Sequence, residues 1–267
     1  MTRKTLTLVP LFLLSLSGCQ RREDSLTAEE AAQASEELQV GSTAESLSGQ
    51  AIEVGTHFTI GGAVEAAAND VKAFVNSQMA CADVTLSGHT LTIEYGAHDV
   101  CLWNGKTITG THEITVTKTD ASEVVVDHVW TNLSNGTHEL SGTAHVTWNS
   151  ADPSRHVQHD LTWTRLRDGR TGHGTGDRVQ KPLNGDLTVG FTETGDRTWD
   201  GARGHWALGI DDLEMRWVDP IPQAGTLTLE TPFDKTVTVA FERKDADTIA
   251  MTFHGPRGSI TIDVNKL

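Results

Sequence analysis

Apolar and polar residues alternate along most of this chain, from about residue 84 to its C-terminus. The alternation is clearest over residues 140–148, 157–163, 237–241, 249–253 and 260–264. A period of two places every apolar side chain on one face of an extended strand. This pattern is typical of antiparallel sheets that bury one face and expose the other. The sequence therefore predicts a long series of antiparallel strands, about a dozen by this pattern.

Short turn signals separate these segments, so we expect sequential hairpins. The signals are Asn135-Gly136, Asp168-Gly169, Gly195-Asp196 and Gly255-Pro256-Arg257-Gly258. A meander of this length has to curl or close to protect its edge strands. The predicted fold is mainly β, a long antiparallel β-meander curled into an open or partly closed barrel or roll. It forms a single domain from about residue 51 to residue 267.

One N-terminal helix is predicted at the start of this domain, over residues 64–79. Its apolar residues recur at the spacing of one helical face and are Val64, Ala67, Ala68, Val71, Phe74, Val75 and Met79. The pattern switches to a period of two soon after the helix ends. We expect the helix to pack on the concave face or on the edge of the sheet.

The turn signals also predict which residues lie opposite each other in the sheet. Two-residue turns at Asn135-Gly136 and Asp168-Gly169 would place Val129 opposite Gly142 and Trp163 opposite Gly174. The turns around residues 120–121 and 151–153 are placed so that apolar residues share one face. One row across the sheet then contains His112, Val129, Gly142, Trp163 and Gly174.

The glycine-rich run Gly172-His173-Gly174-Thr175-Gly176 has two interpretations. A phosphate-binding loop would need a helix directly after it, and no helical pattern follows. A strand whose glycines are covered by the indole of Trp163 agrees with the predicted register. We therefore favour the strand.

Twelve histidines raise the question of a metal site. His112, His138 and His159 would share the buried face, but in rows four residues apart, which is roughly 13 Å and too far for one ion. We interpret these three as core or ligand-facing side chains.

On the outer face the predicted register pairs His128 with Glu113 and His145 with Asp160. Two imidazoles and two carboxylates are ligands that zinc or copper accepts, so these four residues are weak metal-site candidates. The alternative is that they form ordinary cross-strand charge pairs.

The N-terminus carries the features of a secretory signal, with Arg3 and Lys4 followed by the apolar run 6–16. This run is too short to span a membrane as a helix. The residues Leu16-Ser17-Gly18-Cys19 resemble the lipobox of bacterial lipoproteins. The resemblance implies cleavage after residue 18, lipidation of Cys19 and a lipid-anchored protein of the bacterial cell envelope. Gln20 fits retention at the outer membrane. The alternative is an ordinary signal peptide with an incidental cysteine.

Charge limits the partners of the exported chain. The whole sequence has 36 acidic and 21 basic residues, a formal net charge of −15, and removing Arg3 and Lys4 with the signal leaves 36 against 19, a formal charge of −17. Such a balance argues against nucleic acid and against electrostatic adhesion to anionic lipid. The expected partners are the membrane, through the N-terminal lipid, and unknown proteins of the envelope.

Residues 19–50 are predicted to be the lipidated cysteine and a flexible tether. The segment 25–32 has helical character with Ser25 or Thr27 as N-cap, and residues 41–49 are rich in Ser, Gly and Thr.

Cys81 and Cys101 form an even pair in an exported protein, which favours a disulfide over two buried thiols.

No catalytic motif stands out, and no cofactor is expected. Asp211, Asp212 and Glu214 form an acidic cluster where the alternation slips by one residue, which indicates a bulge or tight turn. Acid/base catalysis there would need an enclosing cleft. We therefore expect a non-catalytic binding or scaffold module, with a hydrolase or metal-binding protein as a further alternative.

A lipid or lipoprotein carrier or acceptor is the first alternative. Proteins that ferry lipoproteins to the outer membrane resemble the predicted architecture, since they are curled antiparallel sheets with helices over the open side. A carrier needs an apolar cavity. The predicted inward positions instead mix Trp148 and Trp163 with polar residues, namely His112, His138, Asp127 and Thr131.

Overall fold

The structure is a computed structural model that describes residues 26–265, except for 56–63, 104–105, 119–122, 150, 187–188, 217, 220 and 256–257. Cys19 and its leader lie outside the described residues. Fourteen antiparallel strands form one sheet, and two helices precede them. The predicted mainly β class and antiparallel meander are confirmed.

The helices are α1 (Ala28–Val54) and α2 (Val64–Gln78). The strands are β1 (Asp83–Ser87), β2 (Thr90–Tyr95), β3 (Cys101–Trp103), β4 (Lys106–Lys118), β5 (Glu123–Ser134), β6 (His138–Asn149), β7 (Ser154–Arg165), β8 (Arg170–Pro182), β9 (Gly190–Gly201), β10 (Gly204–Arg216), β11 (Ala224–Thr231), β12 (Lys235–Arg243), β13 (Thr248–Gly255) and β14 (Gly258–Asn265).

The sheet follows chain order and stays open. Strand β2 pairs with β4, each later strand pairs with the next, and short β3 lies beside the first half of β4. The order runs from β1 at one edge to β14 at the other, without pairing between these two. The sheet curls around α1, which contacts side chains from β5 through β12. We call the side that faces α1 the concave face.

Helix α2 confirms the helix predicted over residues 64–79. It packs on β1, β2 and β4 through side chains such as Val71, Val75 and Met79, which are fully buried. Just beyond the helix, Cys81 forms a disulfide with Cys101 of β3. The disulfide therefore joins the end of α2 to the first strands of the sheet, as the sequence predicted.

Helix α1 corrects the prediction of a flexible tether through residue 50. Thr27 caps the helix in a capping box with Glu30, as its candidacy for N-cap suggested. The helix then continues to Val54 and buries Val40 and Leu47 against the sheet. Its glycines and hydroxyl residues have low intrinsic helix propensity. Contacts with the sheet stabilise this segment, and those contacts leave no local signature in the sequence.

Gly49 of α1 and Gly55, the C-cap residue of the helix, give a matched test of this packing. A methyl group at Gly49 would meet nothing within 4 Å, whereas one at Gly55 would lie 2.5 Å from Cε1 of His128. We expect Gly49→Ala to raise the free energy of unfolding by about 0.5–1 kcal/mol. Gly55→Ala should lower it by about 1–3 kcal/mol through overpacking. Urea denaturation of both variants measures the two changes, and a shift of the same sign in both would contradict the docked position of α1.

The predicted register was wrong by one residue between β4 and β5. His112 lies opposite Trp130 rather than Val129, and Glu113 lies opposite Val129 rather than His128. Side chains alternate between the two faces, so a slip of one residue exchanges the faces of the whole strand. His128 is therefore buried on the concave face, and Val129 points outward with 41% of its surface exposed.

Two local features explain the slip in β5. The hairpin turn is centred one residue later than predicted, so Ser134 pairs with Glu139. A bulge at Asn132, which has a φ of 51°, then shifts the register back by one, and Trp130 faces Gly142. Alternation of apolar and polar residues shows neither the exact centre of a turn nor the position of a bulge.

The predicted registers of β6–β7 and β7–β8 were wrong by two residues, which preserves the faces. Gly142 lies opposite Leu161. Trp163 lies opposite Gly172, because the loop between Arg165 and Arg170 has four residues where the sequence predicted a two-residue turn. The glycine-rich run is a strand, as favoured. A methyl group at Gly172 would lie 2.6 Å from Cζ2 of Trp163, so the indole covers this glycine.

The bulge expected at the acidic cluster is present. The register of β10 shifts between Ile210 and Leu213, and Asp212 has a φ of 44°. Asp211 and Asp212 are exposed on this bulge, and Glu214 accepts a hydrogen bond from Gln223.

Neither helix of the described chain is long and apolar enough to cross a membrane.

Candidate binding face beneath helix α1

Helix α1 is acidic, and the concave face beneath it is basic. Residues 26–55 contain six glutamates and no lysine or arginine. Four of these glutamates form ion pairs with the sheet. Eight basic side chains of the sheet lie within ion-pair distance of them: Arg155, Arg165, Arg167, Arg170, Arg178, Arg197, Arg203 and Lys235.

The first cluster surrounds Glu36 at the rim of the sheet. Its carboxylate lies 3.1 Å from Arg165 and 2.9 Å from Arg170, both at the β7–β8 turn, and 3.4 Å from Arg203 of the β9–β10 turn. Asp168 accepts two further hydrogen bonds from Arg165. Burial acts to raise the pKa of Glu36, but the hydrogen bond from Arg165 and the charge of Arg170 outweigh it and hold the pKa below its ordinary value.

The second cluster is centred on Glu45, deep under the middle of α1. Its carboxylate accepts a hydrogen bond from Nε2 of His159 at 3.0 Å and lies 3.3 Å from Arg178 and 3.6 Å from Arg197. Glu193 balances part of this charge, 3.5 Å from Arg178. Burial acts to raise the pKa of Glu45, yet His159 and the two arginines hold it far below its usual range. Glu45 is therefore ionised, and its charge fixes α1 to the sheet.

The two ends of α1 are held in the same way. Glu30 at the N-terminus accepts a hydrogen bond from Lys235 at 2.6 Å, which brings the start of the helix to the β11–β12 turn. Glu53 at the C-terminus forms an ion pair with Arg155 at 2.5 Å. The guanidinium of Arg155 also lies over the ring of Trp148. The helix therefore crosses the concave face with a charged contact about every two turns.

The arginines have more hydrogen-bond donors than α1 uses. The Nε atoms of Arg178, Arg197 and Arg203 are buried and have no hydrogen-bond partner in the described part of the chain. Buried guanidinium groups are expected to satisfy all their donors, because an unpaired buried donor costs about 1–3 kcal/mol. Oε2 of Glu45 also lacks a hydrogen-bond partner among the described residues, so the carboxylates of α1 do not reach these donors, and the concave face can accept an anion whose oxygen atoms do.

A chain of three hydrogen-bonded side chains lies beside the C-terminus of α1. The hydroxyl of Tyr95 is 3.3 Å from Nδ1 of His112, whose Nε2 is 2.9 Å from Nδ1 of His128. Burial lowers the pKa of His112, and burial with the nearby charge of Arg155 lowers the pKa of His128 to about 3. Both rings are therefore neutral, and their facing nitrogens are hydrogen-bonded to each other.

The structure does not bring together the four weak metal candidates. His128 is in the core, Glu113 lies opposite Val129, and His145 lies opposite Gln158 rather than Asp160. The described residues contain no group of three or more His, Cys, Asp or Glu placed to hold a metal ion.

The outer face nevertheless carries cross-strand acid–histidine pairs, although with other partners than predicted. The pairs are His145–Asp127 at 2.7 Å, His156–Asp177 at 2.5 Å, His173–Asp160 at 2.8 Å and His205–Asp200 at 3.0 Å. Their side chains are largely solvent-exposed, so each contributes at most about 1 kcal/mol. These four pairs agree with the alternative interpretation, that the outer face carries ordinary cross-strand acid–histidine pairs.

Some predictions of which residues face the core were wrong, because the register of β5 differs by one residue from the predicted register. His112, His138 and His159 are buried, as expected, but Asp127 and Thr131 are not, because β5 shows its other face to the core. The basic residues of the concave face were missed. Their signal in the sequence is Arg178 and Arg197 at inward positions of two strands, opposite a helix segment without a single basic residue.

Beyond α1 the concave face becomes apolar. Leu227 and Val239 of β11 and β12 are partly buried against the core, and Ile260 and Ile262 of the edge strand β14 are each 46% exposed. A row of facing residues crosses these strands, because Ile210 pairs with Leu227, Leu227 with Val239, Val239 with Phe253, and Phe253 with Ile260. The described part of the concave face thus has a charged half and an apolar half.

Comparison with known proteins gave no matching family model, curated protein or solved structure.

Proposed function

We propose that this chain is a non-catalytic binding protein of the bacterial cell envelope, anchored by a lipid on Cys19, and that it binds its ligand on the concave face of the open sheet. One observation carries the proposal. The concave face already holds a segment of polypeptide, α1, through eight basic side chains and an apolar floor. A concave surface with both charged and apolar contacts is the usual form of a ligand site.

A lipid or lipoprotein carrier is the more specific form of this function, and a separate observation favours it. The apolar half of the concave face ends in Ile260 and Ile262, two large aliphatic side chains that are nearly half exposed on an edge strand. Exposed aliphatic patches of this kind mark interaction sites. They suit an acyl chain or an acylated protein better than a purely polar partner.

Neighbouring residues of β14 provide a matched test, because Ile262 lies on the concave face and Thr261 on the opposite face. A photo-crosslinking amino acid would replace each in turn in the full chain, produced in a bacterial host with an outer membrane. We expect adducts at position 262 and few at position 261, and the adduct mass separates a lipid from a protein ligand. Equal crosslinking at both positions, or adducts only at 261, would contradict a concave binding face.

The anchor is tested separately on the same cells. We expect the chain to sediment with membranes and its N-terminal peptide to begin at an acylated Cys19. Cys19→Ala should move the chain to the soluble fraction. An unmodified Cys19 in the wild-type chain would contradict the lipid anchor and leave the binding face to be judged by its own test.

A further inference from the structure

The charge of the concave face is opposite to that of the whole chain. The chain has a formal net charge of −15, yet eight of its 21 basic residues meet α1 on this one surface. Among the contacts described above, the sheet itself offers only Asp168 and Glu193 to balance them. Without α1 this surface would be strongly positive, and such a surface in a partly apolar cleft attracts anions.

The donors left over by α1 indicate which anion fits. A carboxylate has two oxygen atoms, and the buried Nε atoms of Arg178 and Arg197 beside Glu45 donate a hydrogen bond to no described group, nor does that of Arg203 beside Glu36. A phosphate presents additional acceptor oxygens, and arginine binds phosphate through paired N–H groups. The vacant donors therefore favour a phosphate over a second carboxylate.

The apolar half of the face adjoins these arginines directly. Arg178 pairs with Gly195, and Gly195 pairs with Ile210, the first residue of the apolar row that ends at Ile260. The row from Ile210 to Ile260 crosses four strand intervals, or about 19 Å at the usual strand spacing. One leaflet of a bilayer's hydrocarbon core, half of about 30 Å, is of similar length. A phosphate at Arg178 would thus leave an acyl chain lying along the row.

Helix α1 covers the charged half of this site, and its sequence suits a segment that can leave. It contains glycines and hydroxyl residues of low helix propensity, and a single carboxylate, that of Glu45, pairs its middle with Arg178 and Arg197. An arriving phosphate would compete with that carboxylate for Arg178 and Arg197. Helix α1 would then be displaced from the face that it occupies.

We propose that the concave face binds a phosphate-bearing amphiphile, with the phosphate at Arg178 and Arg197 and the acyl chain on the apolar row, and that α1 occupies the phosphate end until the ligand displaces it. This inference rests on the proposed function, because it names the ligand class of the same face.

The test uses the full chain with Cys19→Ser, so that no acyl group is attached. The probes are oleoyl lysophosphatidic acid, monooleoylglycerol and inorganic phosphate, each below its micelle concentration where it forms micelles. Tryptophan fluorescence follows binding, because Trp199 and Trp206 lie buried on the concave face, and native mass spectrometry gives the stoichiometry. Hydrogen exchange of residues 28–54 follows the release of α1. We expect one lysophosphatidic acid to bind and α1 exchange to rise, with at least tenfold weaker binding of the other two probes.

Three variants of the same chain test the contribution of the apolar half of the concave face and the competition between Glu45 and the phosphate. Glu45→Gln should tighten lysophosphatidic acid binding at least tenfold, because a larger fraction of the chain is then competent to bind. Ile260→Asp, at the end of the apolar row, should weaken binding about tenfold, through lost burial of the acyl chain. Thr261→Asp adds the same charge on the opposite face and should leave binding unchanged.

The outcomes separate this proposal from the proposed function. Equal binding of monooleoylglycerol, or no binding by Glu45→Gln, would overturn the phosphate-bearing ligand. Tighter binding without faster exchange of α1 would overturn displacement. In each case crosslinking at position 262 in cells would still support a concave binding face for another ligand.

Discussion

Glu45→Gln should release α1 from the sheet while the strands stay folded. The substitution removes the carboxylate that faces Arg178 and Arg197 but keeps the size of the side chain. Breaking a buried ion pair on one side costs about 3–5 kcal/mol, because the remaining charges are left without a partner. We expect the free energy of α1 opening to fall by about that amount, which is on the order of a hundredfold or more in its amide exchange rates.

Glu29→Gln provides the matched control within the same helix. Glu29 is exposed, and its carboxylate contacts only the side chain of Gln33 among the hydrogen bonds described. Hydrogen exchange read by mass spectrometry would compare both variants with the wild-type chain over residues 28–54 and over β4 to β8. Similar exchange of α1 in the two variants would show that Glu45 does not hold the helix.

Stability should fall steeply below pH 6.5, before the carboxylates begin to titrate. His112 and His128 stay neutral in the folded chain because burial lowers their pKa values, that of His128 to about 3. The unfolded chain binds protons on both rings near pH 6.5, whereas the folded chain does not. Unfolding therefore takes up protons between pH 6.5 and about 3, and the free energy of unfolding falls as the pH falls.

Each histidine contributes about 1.4 kcal/mol per pH unit well below its unfolded pKa. Urea denaturation at several values between pH 7 and pH 4.5 measures the slope. Within this range the ionised carboxylates of α1, with their lowered pKa values, contribute little, and they add to the loss of stability only at lower pH. His138, whose pKa burial also lowers, adds a smaller share.

The double variant His112→Leu/His128→Leu should remove most of this slope. It replaces both rings of the His112–His128 hydrogen bond by apolar groups, and although the hydroxyl of Tyr95 loses its partner and stability at pH 7 falls, no neutral buried ring remains to cause the slope. His89→Gln, at an exposed position, is the control and should keep the wild-type slope. A double variant as sensitive to pH as the wild-type chain would contradict two neutral buried histidines.

Much of the fold follows from local patterns. The alternation of apolar and polar residues predicted the antiparallel meander, the helical spacing predicted α2, and the phase slip at Asp211-Asp212 predicted the bulge in β10. The pairing of Cys81 with Cys101 followed from their number and the expected export. Each of these features has a physical cause that acts over a few neighbouring residues, so the sequence displays it directly.

The register was decided by details that the pattern does not contain. A turn centred one residue later and a bulge at Asn132 sufficed to exchange the faces of β5. This single slip moved His128 from the predicted outer metal site into the core beside His112. Because the side-chain period is two, an error of one residue changes every conclusion about a strand, whereas the errors of two residues in β7 and β8 changed none of the faces.

The sequence by itself determined the mainly β class, the helix α2 and the order of the strands. Only the tertiary structure decided that residues 28–54 form a helix and that this helix lies across the concave face. The reason is that α1 has little helix propensity of its own and is stabilised by arginines that come from strands more than 100 residues away. A contact between residues so far apart has no local signature, and the candidate binding face consists of such contacts.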